Sequence, residues 1–244
     1  GLWDARLEAL VVDSILSGEH TDEISSRVAA LGWRATGSVI VLIGTVPSIF
    51  DADQFRRSAR KAHSDVLIGI HGDRLIVVLG HITDPNSTTK NFSSIVSELE
   101  PLFGTGAIVI GPTIRDVSSA TISAKAALSA FAVIRNSKKP QRVIHADDVL
   151  AERALAGDVL AKQTLIEKVY EPLASTSSEL LETLTAYLDS GRSLEATAKL
   201  LFVHPNTVRY RLKRISDVIG WDATGAHEAF VLQVAMVLGS LGEK

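Results

Sequence analysis

Cysteine is absent from the 244-residue chain, which excludes disulfides, thiolate nucleophiles and cysteine-ligated metal centres. Methionine occurs once, at Met236, so the chain as it stands has no initiator. It is expected to be part of a longer or processed protein, and a further domain upstream is allowed but not identified. No apolar run reaches the ~18 residues of a membrane span, and no signal-peptide pattern opens the chain. A soluble, cytoplasmic protein with no membrane partner is therefore expected. Apolar residues make up 46% of the chain, enough to fill one large or two modest cores. One further absence is local: Leu201 to Ser216 contains no acidic residue.

That stretch belongs to a longer one, Ser193 to Ile215, in which two short helical patterns meet at a tight corner. The first opens at Ser193, whose hydroxyl can cap free helix amides, with Glu195 favourably placed in the first turn. Leu194, Thr197, Ala198 and Leu201 then fall at offsets of one buried stripe. The second opens at His204-Pro205, because proline's missing amide costs nothing in a first turn. Val208, Leu212, Ile215 and Ile219 form the second stripe. Only Phe202 and Val203 lie between the two patterns, so the helices must cross steeply. A helix-turn-helix is expected.

The second helix shows Arg209, Arg211, Lys213 and Arg214 to solvent, a local charge of +4 on a chain whose net charge is −3, leaving −7 for the rest. An acidic body carrying one basic helix suits a polyanion partner. Asn206, Thr207 and Tyr210 are interleaved with the cations and can donate to phosphates or read base edges. The expected DNA-contacting set is His204, Pro205, Asn206, Thr207, Arg209, Tyr210, Arg211, Lys213 and Arg214. Asn206 and Arg209, near the amino-terminal end of the helix, are expected to reach bases, and Arg214 a phosphate.

Towards the amino terminus, Leu7, Leu10, Val11 and Ile15 make one helical stripe, and Ile24, Val28 and Leu31 a second that stops at Gly32. Trp33 is placed to pack this leading hairpin onto the strands beyond it. From Ser38 the pattern becomes that of strands: SVIVLIG, then VLIGI from Val66 and LIVVL from Leu75, the last two joined through Gly72 as an antiparallel hairpin. Helices are expected at Ala52 to His63, Asn91 to Leu99 and Ser118 to Arg135, with a loop from Asp84 to Asn86. AIVI from Ala107 is a further strand, and RVIH from Arg142 a last edge strand. The order β-α-β-β-α-β-α-β implies an antiparallel sheet with helices on one face. Asp147 to Tyr170 reads as a helical connector ended by Pro172 and the polar run Ser175 to Ser178. Two more apolar helices flank the corner, one in SSELLETLTAYLDSG with Leu180, Leu181, Leu184 and Leu188, the other from Glu228 to Leu241. The chain divides into a hairpin at 1–34, a split βαβ domain at 35–150, a connector at 151–178 and a helix-turn-helix domain at 179–244. The fold class is α+β.

The run SELLETLTAYLDSGRSLEATAKLLFVHPNTVRYRLKRISDVIGWD resembles the carboxy-terminal helix-turn-helix of PucR/CdaR-type bacterial transcription regulators. The corner is also similar to the Fis-type helix pair, with Val208 and Leu212 at the matching buried positions. It departs from the usual pattern at Phe202, where many members place glycine. The middle of the chain resembles the GGDEF-like domain of the same family, on its strand order and on His71-Gly72-Asp73-Arg74-Leu75. On the cyclase signature His71 takes the place of the first glycine and Arg74 that of the second acid. The strand Val39 to Gly44 has no aspartate, whereas a cyclase needs clustered carboxylates for its magnesium ions. The resemblance implies a degenerate, catalytically inactive domain that passes a signal or makes a dimer contact.

Other chemistry is sparse. Gly104-Thr105-Gly106 precedes a strand instead of following one, so a turn is expected and not a dinucleotide fingerprint. His81, His145 and Asp147-Asp148 have no helical ligand spacing, and Ser118-Ser119 and Ser175 to Ser178 read as caps and linker. No catalytic residue, cofactor or metal is expected. The reading is a DNA-binding transcription regulator whose partners are double-stranded DNA and a second copy of the chain. The family responds to unrelated metabolites, so a small-molecule effector is allowed but not identified. A ligand-sensing or scaffolding module with an acidic protein partner, and a cyclase with unconventional metal ligands, stand as alternatives.

Overall fold

The computed structural model describes residues 4–82, 92–134 and 141–242. The chain forms two compact units, residues 1–149 and 150–244. The expected loop at Asp84 to Asn86 and the ends of two helices at Asn91 and Arg135 lie outside the described residues.

In the first unit, helix α1 (Ala5–Ser17) is capped by Asp4, whose carboxylate accepts from the amides of Arg6 and Leu7, and stops at Gly18 in the left-handed conformation. Helix α2 (Ile24–Ala30) follows, then strand β1 (Val39–Thr45), helix α3 (Ala52–Lys61), and strands β2 (Ser64–His71) and β3 (Arg74–His81). Helix α4 (Phe92–Leu99), strand β4 (Ile108–Ile110), helix α5 (Ala120–Ile134) and strand β5 (Val143–His145) complete the unit. The strands form one sheet in the order β2-β3-β1-β4-β5. The expected β2–β3 hairpin is present, with Gly72 at φ 64° in its turn.

The sheet departs from expectation in two respects. Strand β5 lies at an edge as expected but pairs parallel to β4, so the sheet is mixed. Helices cover both faces instead of one. Val39, Val41, Ile43, Leu67, Ile76 and Val78 share a core with α1, α2 and α5. Ile40, Leu42, Ile68, Leu75, Val77 and Leu79 share another with Phe55 of α3, Ile95 and Leu99 of α4, and Phe103. The physical reason is visible in β1 and β3, which are apolar at nearly every position instead of alternating, as strands buried on both faces are.

Close approaches fix the helices on the sheet. A Cβ on Gly69 would lie 2.5 Å from Val12 of α1, and one on Gly80 would lie 2.2 Å from the Trp33 ring. Trp33 thus packs the leading helices onto β3, as its position suggested. The leading hairpin is part of the first unit's core, because Val11, Val12, Ile15, Ile24 and Val28 are buried in one cluster with residues of the sheet and of α5. Val117–Ile134 is long and apolar enough to cross a membrane by length and composition, contrary to the expectation that no run is. Its small residues Ala120, Ser123, Ala124, Ala127 and Ala130 are fully buried within the unit, and the Ser123 hydroxyl accepts from the Val41 amide at 3.0 Å.

The second unit is all helical: α6 (Leu150–Leu155), α7 (Val159–Leu165), a π-helical turn at Ile166–Tyr170, α8 (Glu171–Thr176), α9 (Ser178–Asp189), α10 (Leu194–Leu201), α11 (Pro205–Ile219) and α12 (Ala226–Gly242). Helical structure continues past Pro172 and stops at Thr176, within the polar run expected to end it, so the run and not the proline marks the end. The π turn immediately before Pro172 adjusts the hydrogen-bond ladder where proline offers no amide. The expected connector is part of this unit's core: Leu150, Leu165, Val169 and Leu173 are buried together with Leu184, Val208 and Leu232. Tyr170 packs on Gly239 of α12, where a Cβ would fall 2.0 Å from its ring.

Candidate nucleic-acid interface

Helix α10 begins as the sequence implies, with the Ser193 hydroxyl accepting from the Ala196 amide at 3.2 Å. The Thr197 hydroxyl donates to the Ser193 carbonyl at 2.6 Å, and Thr197 and Ala198 are buried. At its end the Val203 amide reaches the Ala198 carbonyl at 3.0 Å and the Phe202 amide that of Lys199 at 3.3 Å. This is the Schellman closure, with Phe202 at the residue that must be left-handed. Phe202 sits at φ 56°, ψ 42°, and is 96% exposed. The turn is therefore the usual one made with an unusual residue.

Helix α11 starts on its N-cap His204, whose Nδ1 accepts from the Asn206 amide at 3.1 Å, and Pro205 fills the first turn. It stops at Gly220, at φ 77°, whose amide reaches the Ser216 carbonyl at 2.8 Å. Val208, Leu212, Ile215 and Ile219 are buried, as their spacing required. Burying four such side chains contributes on the order of 6–12 kcal/mol before the entropy of ordering them is subtracted. The stripe sets which residues face outward.

Asn206, Arg209, Tyr210, Lys213 and Arg214 are exposed, and His204 with them. Pro205 and Thr207 are half-buried. Arg209 donates to the Asn206 side-chain carbonyl at 2.6 Å, which couples two residues near the start of the helix. Arg211 behaves differently. Its guanidinium turns to α9, donating to the Thr183 hydroxyl at 3.3 Å and lying 3.5 Å from the Glu179 carboxylate. Its side chain is only 18% exposed, so it braces α11 on α9. Counting charge along a helix does not show this, because the inward turn depends on a residue 28 positions away. Lys199, exposed on α10, is a further cation of the helix pair that lies outside the acid-free stretch.

The GGDEF-like signature positions have structural partners. His71 lies 2.8 Å from Asp13 of α1, and the Arg74 guanidinium sits over the Phe131 ring of α5 at 5.4 Å. Gly104 and Gly106 form the expected turn, held by Arg142, which donates to the Gly104 carbonyl at 2.6 Å. The His145 amide is held by Asp148 at 3.1 Å. Among the described residues no group of three or more histidine, aspartate or glutamate side chains is arranged to hold a metal ion.

A capped short helix, a Schellman turn and a cationic second helix define the class: a helix-turn-helix module, here joined to a five-stranded mixed sheet. Residues 180–238 match the PucR C-terminal helix-turn-helix domain, and residues 17–133 match the GGDEF-like domain. The chain belongs to the PucR/CdaR-type family. It is 40% identical to an uncharacterized protein of Mycobacterium tuberculosis, over 99% of this chain and 59% of that relative. The chain thus spans about three fifths of the length of that relative. It is 34% identical to the purine catabolism regulatory protein of Bacillus subtilis, over 50% of this chain and 23% of that protein. The crystal structure of a regulator of polyketide synthase expression from Bifidobacterium adolescentis superposes with a TM-score of 0.84 at 29% identity, over 100% of this chain and 96% of that one.

Proposed function

We propose that this chain is a DNA-binding transcription regulator that reads its operator through the exposed face of α11. The observation that carries the reading is the outward set Asn206, Arg209, Tyr210, Lys213 and Arg214 on a helix with a buried apolar back. Asn206 and Arg209 read bases from the amino-terminal end of the helix, which points into a major groove in the usual docking. The Arg209–Asn206 hydrogen bond orients both side chains before DNA arrives. Lys213 and Arg214 neutralise phosphates where the helix leaves the groove, and Thr207 and Tyr210 donate to the backbone. His204 and Pro205 start the helix at the groove wall. Arg211 contributes by fixing α11 on α9. The protein acts as a homodimer, because one such module covers only a half-site.

The GGDEF-like unit does no nucleotide chemistry in this reading. Arg74 supplies a positive charge where the cyclase signature has an acid, and its engagement with Phe131 supports a packing role. The unit transmits or receives a signal, and a soluble, cytoplasmic setting follows from the regulatory role.

The test is Arg209→Ala and Arg214→Ala, each titrated against operator and scrambled duplex. Losing Arg209 is expected to cost about 1–3 kcal/mol against operator and little against scrambled DNA. Losing Arg214 is expected to weaken both alike and to flatten the salt dependence by about one unit per module. With three outward cations per module and two modules, log K is expected to fall against log salt with a slope of roughly −5. Salt-independent binding, or a specificity ratio that collapses only with Arg214→Ala, overturns this orientation.

A further inference from the structure

The first unit contains a cavity of about 270 Å³ lined by the segment after α2, by α3 and by the start of β2. Trp33, Arg34, Arg56, Arg60 and Asp65 line it, with Leu31 and Val66 completing its apolar wall. The size is at the small end for metabolite sites, which commonly measure about 300–1,000 Å³.

The charges in this wall are not balanced. Arg56 is committed to Glu8, with guanidinium-to-carboxylate distances of 3.0 and 3.2 Å. Asp65 is committed to the backbone, accepting from the amides of Arg34 and Ala35 at 2.6 Å each. Among the described residues neither the Arg34 nor the Arg60 guanidinium has a carboxylate partner. Three arginines and one aspartate give the wall an excess of two positive charges, or one when Glu8 behind Arg56 is counted. A concave wall focuses such an excess on whatever enters.

The apolar part of the wall is preorganised. Trp33 is held against β3 because Gly80 leaves room for it, and a Cβ there would approach three atoms of Trp33 and Ala35 at 2.2 to 2.8 Å. An indole fixed in this way is a platform for a flat ring, and it loses little entropy on binding. Guanidinium groups match the planar fork of a carboxylate.

We propose that this cavity is a binding site for a small arene carboxylate, its ring against Trp33, Leu31 and Val66 and its carboxylate at Arg34 and Arg60. This site is separate from the DNA-reading helix and does not rest on the reading of α11.

The experiment uses the full chain and three probes: benzoate, the uncharged benzamide and inorganic phosphate. The readout is the indole N–H resonance of Trp33, assigned by its loss in Trp33→Phe. Benzoate is expected to shift it saturably, with a dissociation constant on the order of 1 mM for a ligand of this size. Arg60→Gln is expected to weaken that binding about tenfold or more, and Arg34→Gln repeats the test at the second guanidinium. Both side chains are at exposed positions, and an unchanged remainder of the spectrum verifies the fold. An unmoved resonance at tens of millimolar benzoate overturns the proposal, as does equal binding by both variants. Equal affinity for benzamide refutes the role of the charge, and equal affinity for phosphate refutes the role of the ring.

Discussion

Phe202→Gly is expected to stabilise the second unit, although it removes a large apolar side chain. The residue closes α10 in the left-handed conformation, at φ 56°, which costs a non-glycine residue about 1–2 kcal/mol. Glycine adopts it without that penalty but loses about 0.5–1 kcal/mol more backbone entropy on folding. Because Phe202 is 96% exposed, almost no buried apolar area is lost with it. The net is a gain of roughly 0.5–1 kcal/mol. The chain has two units, so the measurement should report on this one alone. Amide hydrogen exchange at Leu212 and Ile215, whose side chains are buried in α11, meets that need. A gain of about 0.5–1 kcal/mol slows exchange there by roughly twofold to fivefold. Gly220 gives the mirror experiment. It caps α11 at φ 77° with no atom within 4 Å of a built Cβ, so Gly220→Ala meets backbone strain and no clash. It is expected to speed exchange at the same amides by a similar factor. Unchanged or faster exchange in Phe202→Gly would refute the reasoning, by showing that the phenyl ring makes a stabilising contact that its exposure conceals.

Gly239→Ala is expected to destabilise the second unit by about 1–3 kcal/mol, because its Cβ would lie 2.0 to 2.5 Å from ring atoms of Tyr170. Urea denaturation followed through Trp221 checks this. Burial raises the pKa of Glu8 above its ordinary 4.5, although the Ile68 amide and Arg56 pull the other way. The folded state therefore holds this proton more tightly than the unfolded chain does. The stability that Glu8 contributes by this route is fully present below about pH 4.5 and is lost as pH rises through the raised value. Stability of the wild type relative to Glu8→Gln is thus expected to fall between acidic and neutral pH, and denaturant midpoints across that range give the sign.

The helix pair is legible in the sequence because its signals are local and mutually consistent. Ser193 caps, Pro205 starts and Val208, Leu212 and Ile215 repeat within a short stretch, and each demands the same geometry. The corner is less legible: nothing in Phe202-Val203 announces a left-handed residue, since phenylalanine disfavours it and only the closure of α10 imposes it. The inward turn of Arg211 is hidden because period fixes an angle around the helix but not the partner a long side chain finds there. The strands of the first unit are marked correctly by their β-branched runs. Their lack of alternation already implies burial on both faces, which the count of helices obscures. The parallel pairing of β5 is not legible, because a three-residue strand carries no directional signal. The parting of the two units at residue 150 falls where the sequence divides the chain. The joining of the leading hairpin and of the connector to the neighbouring cores is less legible, because part of their buried surface meets elements far along the chain.

Glu8 has a consequence for how this sheet can grow. Strand β2 is the last strand on its side, and its Ile68 amide points away from β3 towards the Glu8 carboxylate, which accepts from it at 2.7 Å. That carboxylate is in turn held by Arg56. Another strand seeking to align here would have to displace a buried ion pair before making its first hydrogen bond at this position, a cost of several kcal/mol. Edge-to-edge recruitment of a second chain is blocked at Ile68 by a side chain from the same unit. On the β2 side the sheet is thus finished from within, by a carboxylate that occupies the place a further strand's carbonyl would take at Ile68.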